Sequence, residues 1–182
     1  QGNPPAEGRG WRKCWEPLWA GAEARLPKQP DRTPDTANEQ SEAVHDLLAF
    51  LAERMLDLHK QKQAEANSFL DWLEQEAGST AGDWSLKTLV QAYWEQPWGE
   101  IERALCRNKS RFIQTQGLRG KDAERALAPL LRATRGHWEA SCARLQPILA
   151  AIQATDRVID LLVYRLYGLT DDEIDLVEGV GS

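Results

Sequence analysis

Nowhere do these 182 residues offer the roughly eighteen consecutive apolar side chains that a membrane-crossing helix needs, so no span is expected. No basic region followed by an apolar stretch opens the chain, so no secretory signal is visible. Cysteine is scarce. Cys14, Cys106 and Cys142 are odd in number, widely spaced and without a Cys-x-x-Cys pair, and a reduced cytoplasmic protein is the expectation. His45, His59 and His137 lie too far apart to make a local zinc motif. None of the seven lysines sits in the Asp/Glu-x-Lys element of the common restriction nucleases. Asp171, Asp172, Glu173 and Asp175 do gather, but at the start of a helix, where carboxylates ordinarily offset the helix dipole. No metal ligand and no catalytic residue is assigned.

Period-two alternation is missing as well, and helical spacing takes its place. The expected fold is all-α: a helical bundle with one long coiled-coil-like helix and an irregular N-terminal tail. Residues 1–37 form that tail, and they hold six of the nine prolines. Trp11, Trp15 and Trp19 are four apart, yet Pro17 interrupts any helix that would align them. The tail is either a flexible or loosely docked segment whose tryptophans cover part of the core, or a broken remnant of an upstream domain or a partner-binding peptide. Residues 38–182 form the helical domain, with a capping box at Thr36 and Glu39 opening its first helix.

That helix is expected over 39–77. Val44, Leu48, Leu51, Met55, Leu58, Lys62, Glu65, Phe69 and Trp72 step by four and three, a heptad seam with two polar interruptions. Leu47, Leu70 and Leu73 widen it, and Gly78 ends it. Leu86, Leu89, Val90 and Tyr93 suggest a short helix, and Pro97 suits the first turn of another carrying Ile101 and Leu105. A third long helix is expected from about 122 to 145, antiparallel to the first, with Leu127, Leu131, Thr134, Trp138 and Leu145 inward. Pro147 should then break or kink it.

The C-terminal segment carries the densest signal. Ile152, Ile159, Val163 and Leu166 make one apolar face, Gly168 supplies a left-handed stop, and Thr170 with Glu173 forms a capping box. Tyr164 and Tyr167 suggest an aromatic clasp between the last two helices, the alternative being that they stack on a base or seal the junction with a partner domain. Asp156, Arg157, Asp160 and Arg165 suggest surface or inter-helix pairs.

The order Thr155-Asp156, Ile159-Asp160, Leu162-Val163-Tyr164, Leu166-Tyr167-Gly168-Leu169-Thr170, Glu173-Ile174, Val177-Glu178-Gly179 also resembles a family. It is similar to the extreme C-terminus of adenine-specific DNA methyltransferases that fuse restriction and modification in one polypeptide (type IIG and related phage-defence systems). The stretches 48–60, 69–74 and 94–112 are similar to the same region. The likeness covers roughly 41–179, is strongest over 148–179 and is absent from 1–35. It implies a parent enzyme that uses S-adenosylmethionine to methylate adenine. This segment would brace the recognition domain and touch the DNA backbone. The family's Asn/Asp-Pro-Pro-aromatic motif is incomplete here, because Asn3-Pro4-Pro5 is followed by Ala6. Gly8-Arg9-Gly10 and Gly179-Val180-Gly181 lie outside any βαβ context, so no cofactor loop is present. By itself the chain is expected to hold no cofactor and catalyse nothing.

Charge supplies the candidate site. The chain carries a net −6, but residues 103–144 hold ten Lys or Arg against three Asp or Glu. Arg103, Arg107, Lys109, Arg111, Arg119 and Lys121 are the candidate DNA-backbone contacts, with Arg125, Arg132 and Arg135 beyond them. The alternative is a solvated face. Expected partners are DNA, bound weakly, and the rest of a methyltransferase or a companion subunit. The competing function is a stand-alone interaction protein, binding such a subunit or forming a homodimer through Leu48, Leu51, Met55 and Leu58.

Overall fold

The structure is a computed structural model, and it describes residues 20–21, 24–30, 35, 38, 40–115 and 121–179. Those residues form an all-α fold without strands. Six helices follow in order: α1 (Ser41–Ala77), α2 (Lys87–Gln91), α3 (Trp98–Arg107), α4 (Lys109–Thr115), α5 (Lys121–Leu166) and α6 (Asp171–Glu178). Short 3₁₀ turns at Ala81–Asp83 and Tyr93–Glu95 flank α2. No helix among the described residues is long and apolar enough to cross a membrane.

Both long helices stop in the same way. Gly78 and Gly168 adopt φ of 63° and 67°. Gly78 N–H donates to the Gln75 carbonyl and Ser79 N–H to that of Glu74. Gly168 N–H likewise donates to Arg165 and Leu169 N–H to Tyr164. These are two Schellman motifs, satisfying carbonyls that a helix end would leave bare, at positions where glycine avoids the Cβ penalty. The start of α1 differs from expectation. The helix begins at Ser41, with the Gln40 carbonyl accepting from Ala43 and Val44. Thr36 and Glu39 lie outside the described residues.

Pro147 does not break α5. The helix runs unbroken for 46 residues with Pro129 and Pro147 inside it. Each proline removes one backbone donor, a local cost of about 3 kcal/mol. Buried side chains on both sides of Pro147 offset that cost, Leu145 before it and Val158 and Leu162 after it. Packing overrides propensity here.

The chain divides into two compact units, 1–58 with 150–182 and 59–149, and both long helices contribute to each. In the first unit, Leu26, Val44, Leu51, Val158 and Leu162 make a small buried cluster. Leu26 belongs to the expected irregular tail, and the Arg165 guanidinium donates to its carbonyl at 2.6 Å. Arg157 on α5 pairs with Glu178 on α6, as an inter-helix pair. The expected capping box at the head of α6 is present, Thr170 and Glu173 each satisfying the other's backbone N–H. Accepting those bonds holds the Glu173 carboxyl below the usual carboxylate range. The aromatic clasp does not form as expected: Tyr164 is half-buried, but Tyr167 is 81% exposed. The Schellman turn and the capping box already fix this corner without a ring.

The second unit has the larger core. Phe69, Leu73, Val90, Tyr93, Ile101, Leu105, Phe112 and Leu145 are buried together, with Trp84. Within it α1 and α5 are antiparallel, since Glu65 meets Arg144 while Trp72 meets His137. Leu86 adopts φ 64°, unusual for a side chain with a Cβ, at the entry to α2. The polar interruptions of the seam each find a partner: Lys62 lies 5.6 Å from the Trp94 ring centroid, a cation–π contact. Glu65 accepts from Arg144 through both its oxygens, at 2.9 and 2.8 Å, and from the buried Ser141 hydroxyl at 2.7 Å. Ser141 in turn meets the Tyr93 hydroxyl at 2.6 Å. Burial pushes the Tyr93 phenol up to about 12, so this ring remains a neutral hydrogen-bonding post.

Candidate nucleic-acid interface

Three of the basic candidates, Arg107, Lys109 and Arg111, flank in sequence one buried side chain, Asn108, which is 2% exposed. Its Oδ1 accepts from the Ser85 N–H at 2.8 Å. Its Nδ2 donates to the Ser85 carbonyl at 2.9 Å and to the Ala104 carbonyl at 2.8 Å. A neutral amide can accept through its oxygen while donating twice through its nitrogen, so Asn108 closes the α3–α4 elbow onto the loop before α2. On the far side of the elbow, Phe112 is buried and packs edge-on to Trp84, ring centroids 5.0 Å apart. Trp84 is itself fixed, its indole N–H donating to the Ser79 hydroxyl at 2.8 Å. With Asn108 and Phe112 turned in, Arg107, Lys109 and Arg111 are turned out and exposed.

Arg107 is the last residue of α3, the helix that carries Leu105, and Lys109 and Arg111 lie beyond it in α4. Asn108 caps α3 through its backbone N–H and lets α4 start immediately. Arg103 is exposed but ion-paired with Glu100 one turn earlier, which offsets its charge. Arg119 lies outside the described residues, and Lys121 opens α5 with its side chain likewise undescribed. Arg132 and Arg135 are exposed on α5, Arg135 bonded to Glu139 at 2.9 Å. The elbow therefore gathers Arg107, Lys109 and Arg111 within five residues of chain, with Arg103 partly neutralised beside them. Two short helices holding three exposed cations over a fixed base can follow a row of phosphates.

Asn108 was not among the expected residues. Nothing near it in sequence marks it, because its key partner Ser85 is 23 positions away. The seam residues fare differently. Leu51 and Leu58 are buried and Leu48 and Met55 half-buried within the chain's own fold. A homodimer through those four side chains would have only the partly exposed Leu48 and Met55 to draw on. Among the described residues no group of three or more His, Cys, Asp or Glu could hold a metal ion. Comparison with family models, curated proteins and solved structures returns no match.

Proposed function

We propose that this chain is the helical module, associated with target recognition, at the C-terminus of an adenine-specific DNA methyltransferase of the type IIG restriction–modification kind. It braces the recognition domain, contacts the DNA backbone and does no chemistry alone. The parent enzyme, in this reading, uses S-adenosylmethionine and works in the cytoplasm. Two things support it: the resemblance over 148–179, and the exposure of Arg107, Lys109 and Arg111 around a rigid elbow. The second carries the DNA contact. Each neutralised phosphate releases counterions, so such a surface binds duplex weakly, without sequence preference and with steep salt dependence.

The test is duplex binding across a salt series, by fluorescence anisotropy. Replacing Arg107, Lys109 and Arg111 together by Ala should reduce the slope of log affinity against log salt by about one unit per lost contact. Circular dichroism should stay unchanged, since all three side chains are exposed. An unaltered slope would remove the elbow from the interface. Micromolar binding of S-adenosylmethionine by the isolated chain would contradict the non-catalytic assignment.

A further inference from the structure

A groove of about 590 Å³ lies between α1 and α5 in the 59–149 unit, lined by Ser68, Phe69, Trp72, Gly136, His137 and Arg144 with Ala140. Its wall is a stacked pair: the Trp72 and His137 rings are 3.7 Å apart at centroids and 11° from parallel. His137 is exposed and Trp72 half-buried, so the imidazole turns its outer face to solvent. Gly136 leaves the neighbouring wall open, because a Cβ added there would meet nothing within 4 Å. Arg144 stands at the groove with its side chain 59% exposed, held in place through Nε and Nη2 by Glu65. That hold leaves Nη1 outside the Glu65 contact and fixes where the guanidinium points.

We propose that this groove binds one nucleotide unit, its base stacked on the outer face of His137 and its phosphate at Arg144. The chemistry is complementary in both parts. A flat, parallel ring pair offers an extended π surface that any base can cover, and a pre-oriented guanidinium suits a phosphate oxygen. A duplex cannot present a base this way, so the groove selects unstacked nucleotides. This site differs from the elbow of Arg107, Lys109 and Arg111 and does not depend on it. The nucleotide is a free mononucleotide or a residue of single-stranded DNA, and one experiment separates the two.

A fluorescein-labelled ten-residue oligo-dT is titrated with the full chain at low salt, beside the same backbone made abasic and beside dTMP as competitor. Stacking of a base on an aromatic ring predicts about 5- to 10-fold tighter binding of oligo-dT than of the abasic strand. His137→Ala should lose that difference, and Gly136→Leu should block the groove. Both positions are exposed, so folding is preserved and circular dichroism confirms it. Displacement by dTMP at a concentration near the oligonucleotide's own Kd assigns a mononucleotide site, and weak displacement assigns the single strand. Equal affinity for abasic and normal strands overturns the proposal, as does unchanged binding in both variants or no binding of either probe. Because the triple Ala variant of the elbow is assayed on duplex alone, failure there leaves this result intact.

Discussion

The same two long helices serve both compact units, yet the units are not equally built. Over 59–149 the buried cluster draws on α1, α2, α3, α4, α5 and the turns between, and includes Trp84, Tyr93, Ile101, Leu105 and Phe112. Over 1–58 and 150–182 the described cluster is Leu26, Val44, Leu51, Val158 and Leu162, aliphatic throughout. The large apolar side chains that remain exposed among the described residues also belong there: Phe50, Leu56, Leu166, Tyr167, Leu176 and Val177. The difference teaches that a pair of long helices offers two faces but does not close a core. Closure in the second unit comes from the short pieces between 81 and 115, which lay aromatic rings over the seam.

The strongest way to break this comparison is to put a charge in each core. Leu73→Asp and Leu51→Asp both bury an unpaired carboxylate, and each should destabilise by several kcal/mol, about 3 or more. Hydrogen exchange by mass spectrometry should show where. Leu73→Asp should deprotect 59–112, whereas Leu51→Asp should deprotect 41–58 together with 150–166. If Leu51→Asp left 150–166 protected, the smaller cluster would not be what holds those segments.

A smaller effect sharpens the picture of the elbow. Asn108→Ala removes three hydrogen bonds, two to the Ser85 backbone and one, buried, to the Ala104 carbonyl. The expected loss is about 2 kcal/mol in urea denaturation, more than an exposed neighbour such as Lys109→Ala would show. Equal effects at the two positions would mean that the elbow is not held by Asn108.

The smallest effect is in pH dependence, where the two units should differ in sign. Hydrogen bonds from Arg144 and Ser141 hold the Glu65 carboxyl below its ordinary value of 4.5, against the opposing pull of burial. Its stabilisation is therefore present above that value and lost as pH falls through the folded pKa. In the other unit, burial and the nearby Asp156 push Asp160 up from 3.8. That carboxyl opposes folding once ionised, so its contribution declines as pH rises through the folded pKa. Glu65→Gln should flatten the acid limb of stability while costing about 1 kcal/mol or less at pH 7, because Arg144 is solvent-screened. Asp160→Asn should instead gain at pH 7 relative to pH 3. Parallel responses would contradict the opposite settings of the two carboxylates.

Much of the backbone is legible in the linear order because its signals are local. Period 3.5 marks the seam, glycine marks both helix stops, and Thr170 with Glu173 marks the last helix start. Pro147 leaves the helix unbroken for the opposite reason: its effect is local, but the packing that keeps α5 continuous is not. The polar breaks at Lys62 and Glu65 show as interruptions, while their partners Trp94 and Arg144 lie 32 and 79 positions away. Charge density points to 103–144, but only folding shows that Arg103 is engaged by Glu100 and that Asn108 turns its neighbours outward. The Trp72–His137 stack has no linear signature at all.

Leu86 ties a backbone state to an evolutionary one. Its left-handed conformation costs about 1–3 kcal/mol for a residue with a Cβ, and glycine would remove that cost. Yet its side chain packs on the aromatic cluster of the 59–149 unit, and glycine would surrender that contact. The two terms are of similar size, so the sign of a Leu86→Gly change depends on how well the surrounding rings are packed. While Trp84 and Tyr93 stay in place, leucine is favoured. Once either shrinks, glycine gains, and the order in which such substitutions arise decides which of them a lineage can keep.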